Sequence, residues 1–367
     1  MSNKKKVGIL TMHKVQNFGS ALQAFGLQYV VDKLGFDAYI VDYKFPNIAH
    51  GASDPGIIQR IKTTVGKLFD LTPGCVALNK FDLFYKNYFK LSRSYSSKEQ
   101  IYSNPPIYDI YMTGSDQVWN PKFIKEDMTF YLDFIEGVKK IAYAPSFGVS
   151  EILERCEEIE KFLRAYDHLS VREKSGAELI ERMISKGVPI VLDPTLLVSA
   201  EEWNKLMNVE NYGKEKYVFL YLQKYSFDPS CMMETLLRKI QRELGWKVYT
   251  TCKLPASCDG LYVCFEDAGP IDFLRLVRNA SYIITASFHG TAFAVNYNIP
   301  FNSIILSKNV SDDRQLAFLR LMNIEDRCLL MDNIDSFEFD FSALDIENRL
   351  NSLREFSIEY LNQSLHS

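Results

Sequence analysis

Five short stretches bring together residue types that can act on a polar ligand, and each directly follows an apolar run. The first is Asn17-Phe18-Gly19-Ser20, a loop of small residues ahead of a helical pattern. Exposed N–H groups and the positive end of a helix dipole suit an anion or a sugar hydroxyl there. The structural alternative is that Asn17 or Ser20 simply caps the helix. The second is Thr113-Gly114-Ser115-Asp116-Gln117-Val118-Trp119-Asn120-Pro121, one indole among hydroxyls, amides and a carboxylate. A sugar wants an apolar platform with hydrogen-bonding groups at its rim, and these residues match. A capped loop with Trp119 as a core plug uses the same residues. The third is Val171-Arg172-Glu173. The Arg172 guanidinium can grip a carboxylate or phosphate bidentately, or pair with Glu173 or Asp193. The fourth is Thr285-Ala286-Ser287-Phe288-His289-Gly290-Thr291-Ala292. It puts a proton-transfer residue at a helix start, and Gly290 would let a ligand approach the backbone. A lone histidine is otherwise structural or solvated. The fifth runs from Ser307-Lys308-Asn309 to Arg314, a polar loop that adds positive charge or is merely solvated.

The elements that position these stretches follow from hydrophobic periodicity. Residues 6–12 are a continuous apolar run, read as a buried strand. Residues 21–34 have helical spacing, Gly35 stops the helix, and 38–43 read as a second strand. This βαβ unit predicts a parallel sheet. Further strands are predicted at 108–113, 140–144, 169–172 and 189–192, with helices at 57–69, 80–89, 151–166 and 174–184. Residues 199–213 are polar and aperiodic, and the domain boundary is placed there. A second series follows, with strands at 217–222, 247–251, 282–285 and 301–306. Its helices are expected at 229–244, 271–279, from 290 to 296, and at 314–322, with a last one over 343–361. The predicted division is a Rossmann-like domain over 1–198 on the acceptor side, another over 199–340 on the donor side, and a C-terminal helix over 341–367 packing back on the first. The fold class is α/β, with sites at the carboxyl ends of strands in a cleft between the domains.

Composition bounds the function. The 367 residues are 47% hydrophobic, enough for two cores, and the net charge of −4 announces no nucleic-acid surface. Seven cysteines, at 75, 156, 231, 252, 258, 264 and 328, contain no C-x-x-C and are expected to be reduced thiols. Cys252, Cys258 and Cys264 lack a nearby histidine at zinc-site spacing, so no metal is expected. Three lysines before a six-residue apolar run do not make a signal peptide, and no run reaches the ~18 residues of a membrane span. A cytoplasmic protein is expected, peripheral at the inner membrane face if its acceptor is lipid-linked. The fingerprints G-x-G-x-x-G, the Walker loop, D-x-D, H-E-x-x-H and G-x-S-x-G are absent, which weakens dinucleotide, nucleotide, metal-dependent and serine-hydrolase readings.

Taken in order, VGILTMHKVQNFGSALQAFGLQ, TGSDQVWNP, IAYAPSFG, LSVREKSG with VLDPTLL, and ITASFHGTAFAVNYNIPF with RQLAFLRLMNIEDR resemble the polysaccharide pyruvyl transferase family. The resemblance spans roughly residues 6–327 and rests on order and spacing rather than on one motif. It implies two glycosyltransferase-B-like Rossmann domains. It also implies transfer of an enolpyruvyl-derived group from phosphoenolpyruvate to a hexose of a capsular or cell-wall glycan or its lipid-linked precursor, giving a pyruvate ketal and phosphate. The family pattern carries over to Arg172 and His289. Many members have an arginine two residues before the histidine, where this chain has Ser287, which puts the donor in question. On this reading His289 is the acid, Asp116 the base for sugar hydroxyls, and Arg172 an anion grip. Ser287, Gly290, Thr291, Arg314 and Lys308 would hold the donor. Asn17, Gly19, Ser20, Ser115, Gln117 and Trp119 would hold the acceptor. No cofactor beyond the donor substrate is needed. The alternatives are a nucleotide-sugar glycosyltransferase on the same fold, a glycan-binding relative without catalysis, and a nucleoside-phosphate-binding regulator. Acceptor sugar, ketal stereochemistry and oligomeric state are left open.

Overall fold

The computed structural model describes residues 4–44, 57–125, 127–212, 215–223, 227–307 and 314–367, and the side chains of all of these except 57–62. Among them are two parallel sheets. The first contains β1 (Lys6–Leu10), β2 (Asp37–Ile40), β3 (Ile110–Thr113), β4 (Lys139–Ala142) and β5 (His168–Leu169), in the order β2-β1-β3-β4-β5. The second contains β6 (Tyr217–Tyr221), β7 (Lys247–Thr250), β8 (Val263–Cys264), β9 (Tyr282–Thr285), β10 (Phe301–Ile305) and β11 (Cys328–Leu330), in the order β11-β10-β9-β6-β7-β8. The central strands KVGIL, YVFLY and YIIT are apolar on both faces because helices cover both sides of a parallel sheet.

Each sheet has one place where the chain reverses its direction of travel. In the first sheet it lies between β1 and β3, paired Val7 to Ile110 through Leu10 to Thr113. In the second it lies between β6 and β9, paired Val218 to Tyr282 through Tyr221 to Thr285. Open α/β sheets bind ligands just beyond the carboxyl ends of the strands at such reversals, since the connecting loops part there.

The chain divides into two compact units. The first comprises Met1–Ile61, Tyr85–Leu197 and Asn351–Ser367, and the second comprises Lys62–Phe84 and Val198–Leu350. The core of the first is strongly aromatic, built around Trp119, Tyr131, Phe147 and Tyr166. The core of the second collects Val218, Leu220, Leu236, Ile240, Ile284 and Ile304.

Most predicted elements are present, with shifts that have local causes. The first helix starts at Phe18 rather than Ala21, because the Asn17 side chain accepts from the Ser20 N–H and caps it. The helix predicted over 80–89 is Pro73–Tyr88, opened by a proline. The helix predicted over 151–166 is only Cys156–Arg164; Arg155 precedes it in the left-handed region at φ 56°. Residues 189–192 form no ladder and leave only the isolated bridge Val171 to Ile190. The last helix is Glu347–His366, beginning and ending later than its periodicity indicates. No helix among the described residues is long and apolar enough to cross a membrane.

Candidate functional site

The β9 strand ends at Thr285, and the helix Phe288–Asn296 begins three residues later at the β6/β9 reversal. Ser287 is the cap: its Oγ accepts from the Gly290 N–H at 3.4 Å. The Thr285 hydroxyl donates to the Tyr221 carbonyl at 2.7 Å and so ties the two strand ends together. His289 is in the first turn, 6% exposed, with its ring edge-on to Phe288. This places one imidazole at the carboxyl end of the sheet, on a rigid element.

Two neighbours expected to contact a donor are turned inward instead. A Cβ on Gly290 would lie 2.2 Å from Thr285 Oγ1 and 2.8 Å from Tyr221 Cδ1. The missing side chain therefore makes room for the strand ends, not for a ligand. Thr291 is fully buried; its hydroxyl donates to the Ser287 carbonyl at 3.1 Å and shares a hydrogen bond with Ser303 Oγ at 2.8 Å. Its role is to lock the helix onto β10. Arg314 is half-buried and belongs to the helix Arg314–Met322. Lys308 lies outside the described residues.

The β1/β3 reversal carries the second polar cluster, in the first unit. Asp116 adopts the left-handed region at φ 75°, is 6% exposed, and accepts from Ser20 Oγ at 2.5 Å and from the Gln117 N–H at 2.9 Å. The Thr11 hydroxyl donates to the Ser115 carbonyl, and Gln23 Nε2 donates to Thr11 Oγ1, Met12 O and Ser20 O. The loops after β1 and β3 are thus stitched together through side chains. Gly19 is buried inside the helix start. Gln117 accepts from Asn120 Nδ2 at 2.7 Å, and Gly148 makes space for both amides: a Cβ there would lie 2.3 Å from Gln117 Oε1.

Two of the expected acceptor contacts are corrected by burial. Trp119 is 0% exposed, stacked on Tyr131 at 5.1 Å and donating Nε1–H to the Phe130 carbonyl. Its ring has no open face for a sugar, because the loop folds it into the aromatic core. Ser115 is also 0% exposed, and its hydroxyl faces the Ala144 carbonyl and Asp193. Arg172 is placed inside the first unit as well, its NH1 2.8 Å from Asp193 Oδ2 and its Nε 3.6 Å from Glu173 Oε2. Asp193 also accepts from the Thr195 hydroxyl at 2.7 Å. The arginine is the cation of a buried charge cluster.

One cluster at the same sheet edge is absent from the sequence reading. His13 Nε2 is 3.0 Å from Asp42 Oδ1, His13 Nδ1 is 3.1 Å from the Thr11 carbonyl, and Lys14 Nζ donates to Asp42 Oδ2 at 2.6 Å. Burial alone would push the Asp42 carboxyl up; the hydrogen bonds from His13 and Lys14 outweigh it and hold the group well below the usual carboxylate range. The available signal was positional. His13 and Asp42 each follow a strand, β1 and β2, and neighbouring parallel strands bring their carboxyl ends together.

Among the described residues no group of three or more His, Cys, Asp or Glu side chains is placed to hold a metal ion. A search among curated proteins finds no significant sequence match. Solved structures share the fold at low identity. A putative UDP-N-acetylglucosamine 2-epimerase from Listeria monocytogenes aligns with TM-score 0.54 and 12% identity, over 99% of this chain and 96% of that one. The S. aureus MnaA–UDP structure gives 0.54 and 11%, over 97% and 94%. The Methanocaldococcus jannaschii UDP-GlcNAc 2-epimerase with UDP-GlcNAc and UDP gives 0.50 and 11%, over 97% and 99%. These likenesses establish two Rossmann-like, glycosyltransferase-B-like units. Sequence is more specific than fold: the profile described as "Polysaccharide pyruvyl transferase" matches residues 17–307, from the Asn17 cap through Arg172 and the His289 helix. Over that span, with a polar cluster at the strand reversal of each sheet, the chain belongs to the polysaccharide pyruvyl transferase family, a family of transferases.

Proposed function

We propose that this transferase moves the enolpyruvyl-derived group of phosphoenolpyruvate onto a hexose of a surface polysaccharide or its precursor and closes it as a pyruvate ketal. The observation that supports this most is His289, held in the first turn of the helix at the β6/β9 reversal, in a chain matched to the family over residues 17–307. In this proposal His289 delivers a proton to the methylene carbon of the donor, leaving an oxocarbenium-like centre at C2. A hexose hydroxyl adds there and loses its proton. The C2–O bond to phosphate breaks and phosphate departs with the electron pair. A second hydroxyl of the same hexose adds to the regenerated cation, loses its proton and closes the ketal. General acid catalysis of the first step is worth roughly 10²–10⁴-fold.

The donor carries a carboxylate and a phosphate and needs cationic partners. Arg172 is already engaged with Asp193 and Glu173, so the proposal gives it the task of holding the first unit's loops. Arg314 and Lys308, after β10, are the proposed donor cations. Acceptor recognition is assigned to the loops at Asn17, Gln117 and Asp116, with Asp116 as the proposed base. Ser287, where many members have arginine, favours one second reading: a nucleotide-sugar donor on the same fold.

The test is a thermal melt with phosphoenolpyruvate, uridine diphosphate or phosphate, because a ligand that binds only the folded state raises the melting point. Stabilisation by phosphoenolpyruvate beyond that by phosphate supports the proposal; stabilisation by uridine diphosphate instead overturns it. The kinetic companion is His289→Ala. With a hexose acceptor present, phosphate release is expected to fall at least about 100-fold while the melting point stays unchanged. Retained turnover would remove the acid role.

A further inference from the structure

The second unit holds a cavity of about 340 Å³ that the mechanism does not use. It lies along the helix Pro270–Arg278, against Tyr217 of β6 and Tyr249 of β7, shares no lining residue with the His289 loop, and Lys80 reaches it from the helix Pro73–Tyr88. Its size falls in the range of small-ligand pockets. Tyr217, Tyr249 and Phe265 form its apolar wall: Tyr217 and Tyr249 have centroids 4.5 Å apart, and Phe265 meets Tyr249 edge-on at 5.2 Å. Tyr249 and Phe265 are only half-buried, so ring surface is open to the cavity.

The rim is charged but balanced. Lys80 Nζ is 2.8 Å from Asp267 Oδ2 and 2.9 Å from Asp272 Oδ2. Arg275 NH1 is 3.1 Å from Asp272 Oδ1, and Glu215 is paired with Lys247 at 2.6 Å. Three carboxylates thus meet three cations. The Lys80 stem is built in, since a Cβ on Gly269 would lie 2.5 Å from Lys80 Cβ. The Nε of Arg275 is buried with no hydrogen-bond partner among the described residues. A charged ligand would have to break these pairs and replace them. A neutral polyol uses the remaining lone pairs and N–H groups without disturbing them, and its C–H face packs on the aromatic wall.

We infer that this cavity binds a neutral saccharide unit, at a site separate from the His289 loop. The site would let the protein hold a glycan at a second point, independently of which donor it uses.

The test titrates the full chain with maltotetraose, cellotetraose and β-1,4-galactotetraose, following binding by saturation-transfer NMR. Saturable binding of at least one is expected, weakened tenfold or more by Tyr249→Ala and by Phe265→Ala, with far-ultraviolet circular dichroism unchanged. Lys80→Met serves where an aromatic substitution unfolds the protein, because it breaks the rim and leaves the wall. The inference is overturned if none of the three binds, if the variants bind as tightly as the parent, or if uridine monophosphate or tetramethylammonium binds the cavity in their place. Stabilisation by phosphoenolpyruvate is expected to persist in Tyr249→Ala. Its absence in the parent as well would count against the donor assignment and not against this cavity.

Discussion

At the scale of single residues, burial decides which polar groups are available and which hold the frame. Arg172 and Asp193 have side chains 2% and 0% exposed, so the pair is a buried ion contact. Removing one partner strands the other charge, at a cost of roughly 3–5 kcal/mol. Arg172→Ala is therefore expected to lower the midpoint of urea unfolding strongly, and Arg172→Met with both Asp193→Asn and Glu173→Gln to recover most of the loss, since Glu173 is the cation's other buried neighbour; equal losses in both would deny the pairing. Asp42 makes a pH statement. Its folded-state value lies below that of an unfolded carboxylate, about 3.9, so its stabilisation is fully present above that pH and is lost as the pH falls further. Between about pH 5 and pH 2.5 the parent should lose more stability than Asp42→Asn, measured by urea melts across that range. A parallel decline would mean that His13 and Lys14 do not stabilise the carboxylate. Residue type alone marked Asp116, Arg172 and His289 as polar breaks in apolar runs. It did not show that Trp119 is enclosed, because the same indole suits a sugar platform and an aromatic core, and only the packing of Tyr131, Phe147 and Tyr166 tells them apart.

At the scale of elements, what was legible is what has a period. The helix Lys174–Ile184 and the strand Tyr282–Thr285 have the predicted ends, because apolar spacing runs regularly through each of them. The edge strands Val263–Cys264 and Cys328–Leu330 were not legible: two or three residues carry no alternation, and they become strands only by pairing with Thr250 and Ser303. The first helix starts at Phe18 on the strength of a single cap rather than a pattern, so periodicity alone places its start three residues late. That cap has a measurable worth. Asn17→Ala removes the acceptor for the Ser20 N–H and is expected to cost about 1 kcal/mol, while Asn17→Asp keeps it. The same substitution bears on the loop's function: phosphate release falling far more than stability in Asn17→Ala, with Asn17→Asp near parent stability, would show that the side chain does more than cap.

At the scale of the molecule, the units are not the contiguous blocks that composition outlines. One change of unit falls between Leu197 and Val198, while Lys62–Phe84 belongs with the second unit and Asn351–Ser367 with the first. No local pattern reports this, since membership is decided by contacts between residues far apart in sequence. The first unit needs its terminal helix for specific reasons. Leu361 and Leu365 are 0% and 1% exposed, Ser357 Oγ accepts from the Leu192 N–H at 3.0 Å, and Arg354 Nε donates to the Leu196 carbonyl at 2.7 Å. Burying two leucines alone is worth roughly 3–6 kcal/mol, a large share of a domain's net stability. A chain ending at residue 350 keeps every residue of the second unit and loses this segment of the first. Its β1–β5 amides are expected to lose hydrogen-exchange protection while β6–β11 keep theirs. The His289 loop would then stay ordered in a protein whose Asn17 and Asp116 loops had melted. If phosphoenolpyruvate still stabilises the shortened chain, the donor site is complete within the second unit. If protection falls evenly across both sheets, the terminal helix is not a private part of the first core, and the division into units carries no energetic meaning.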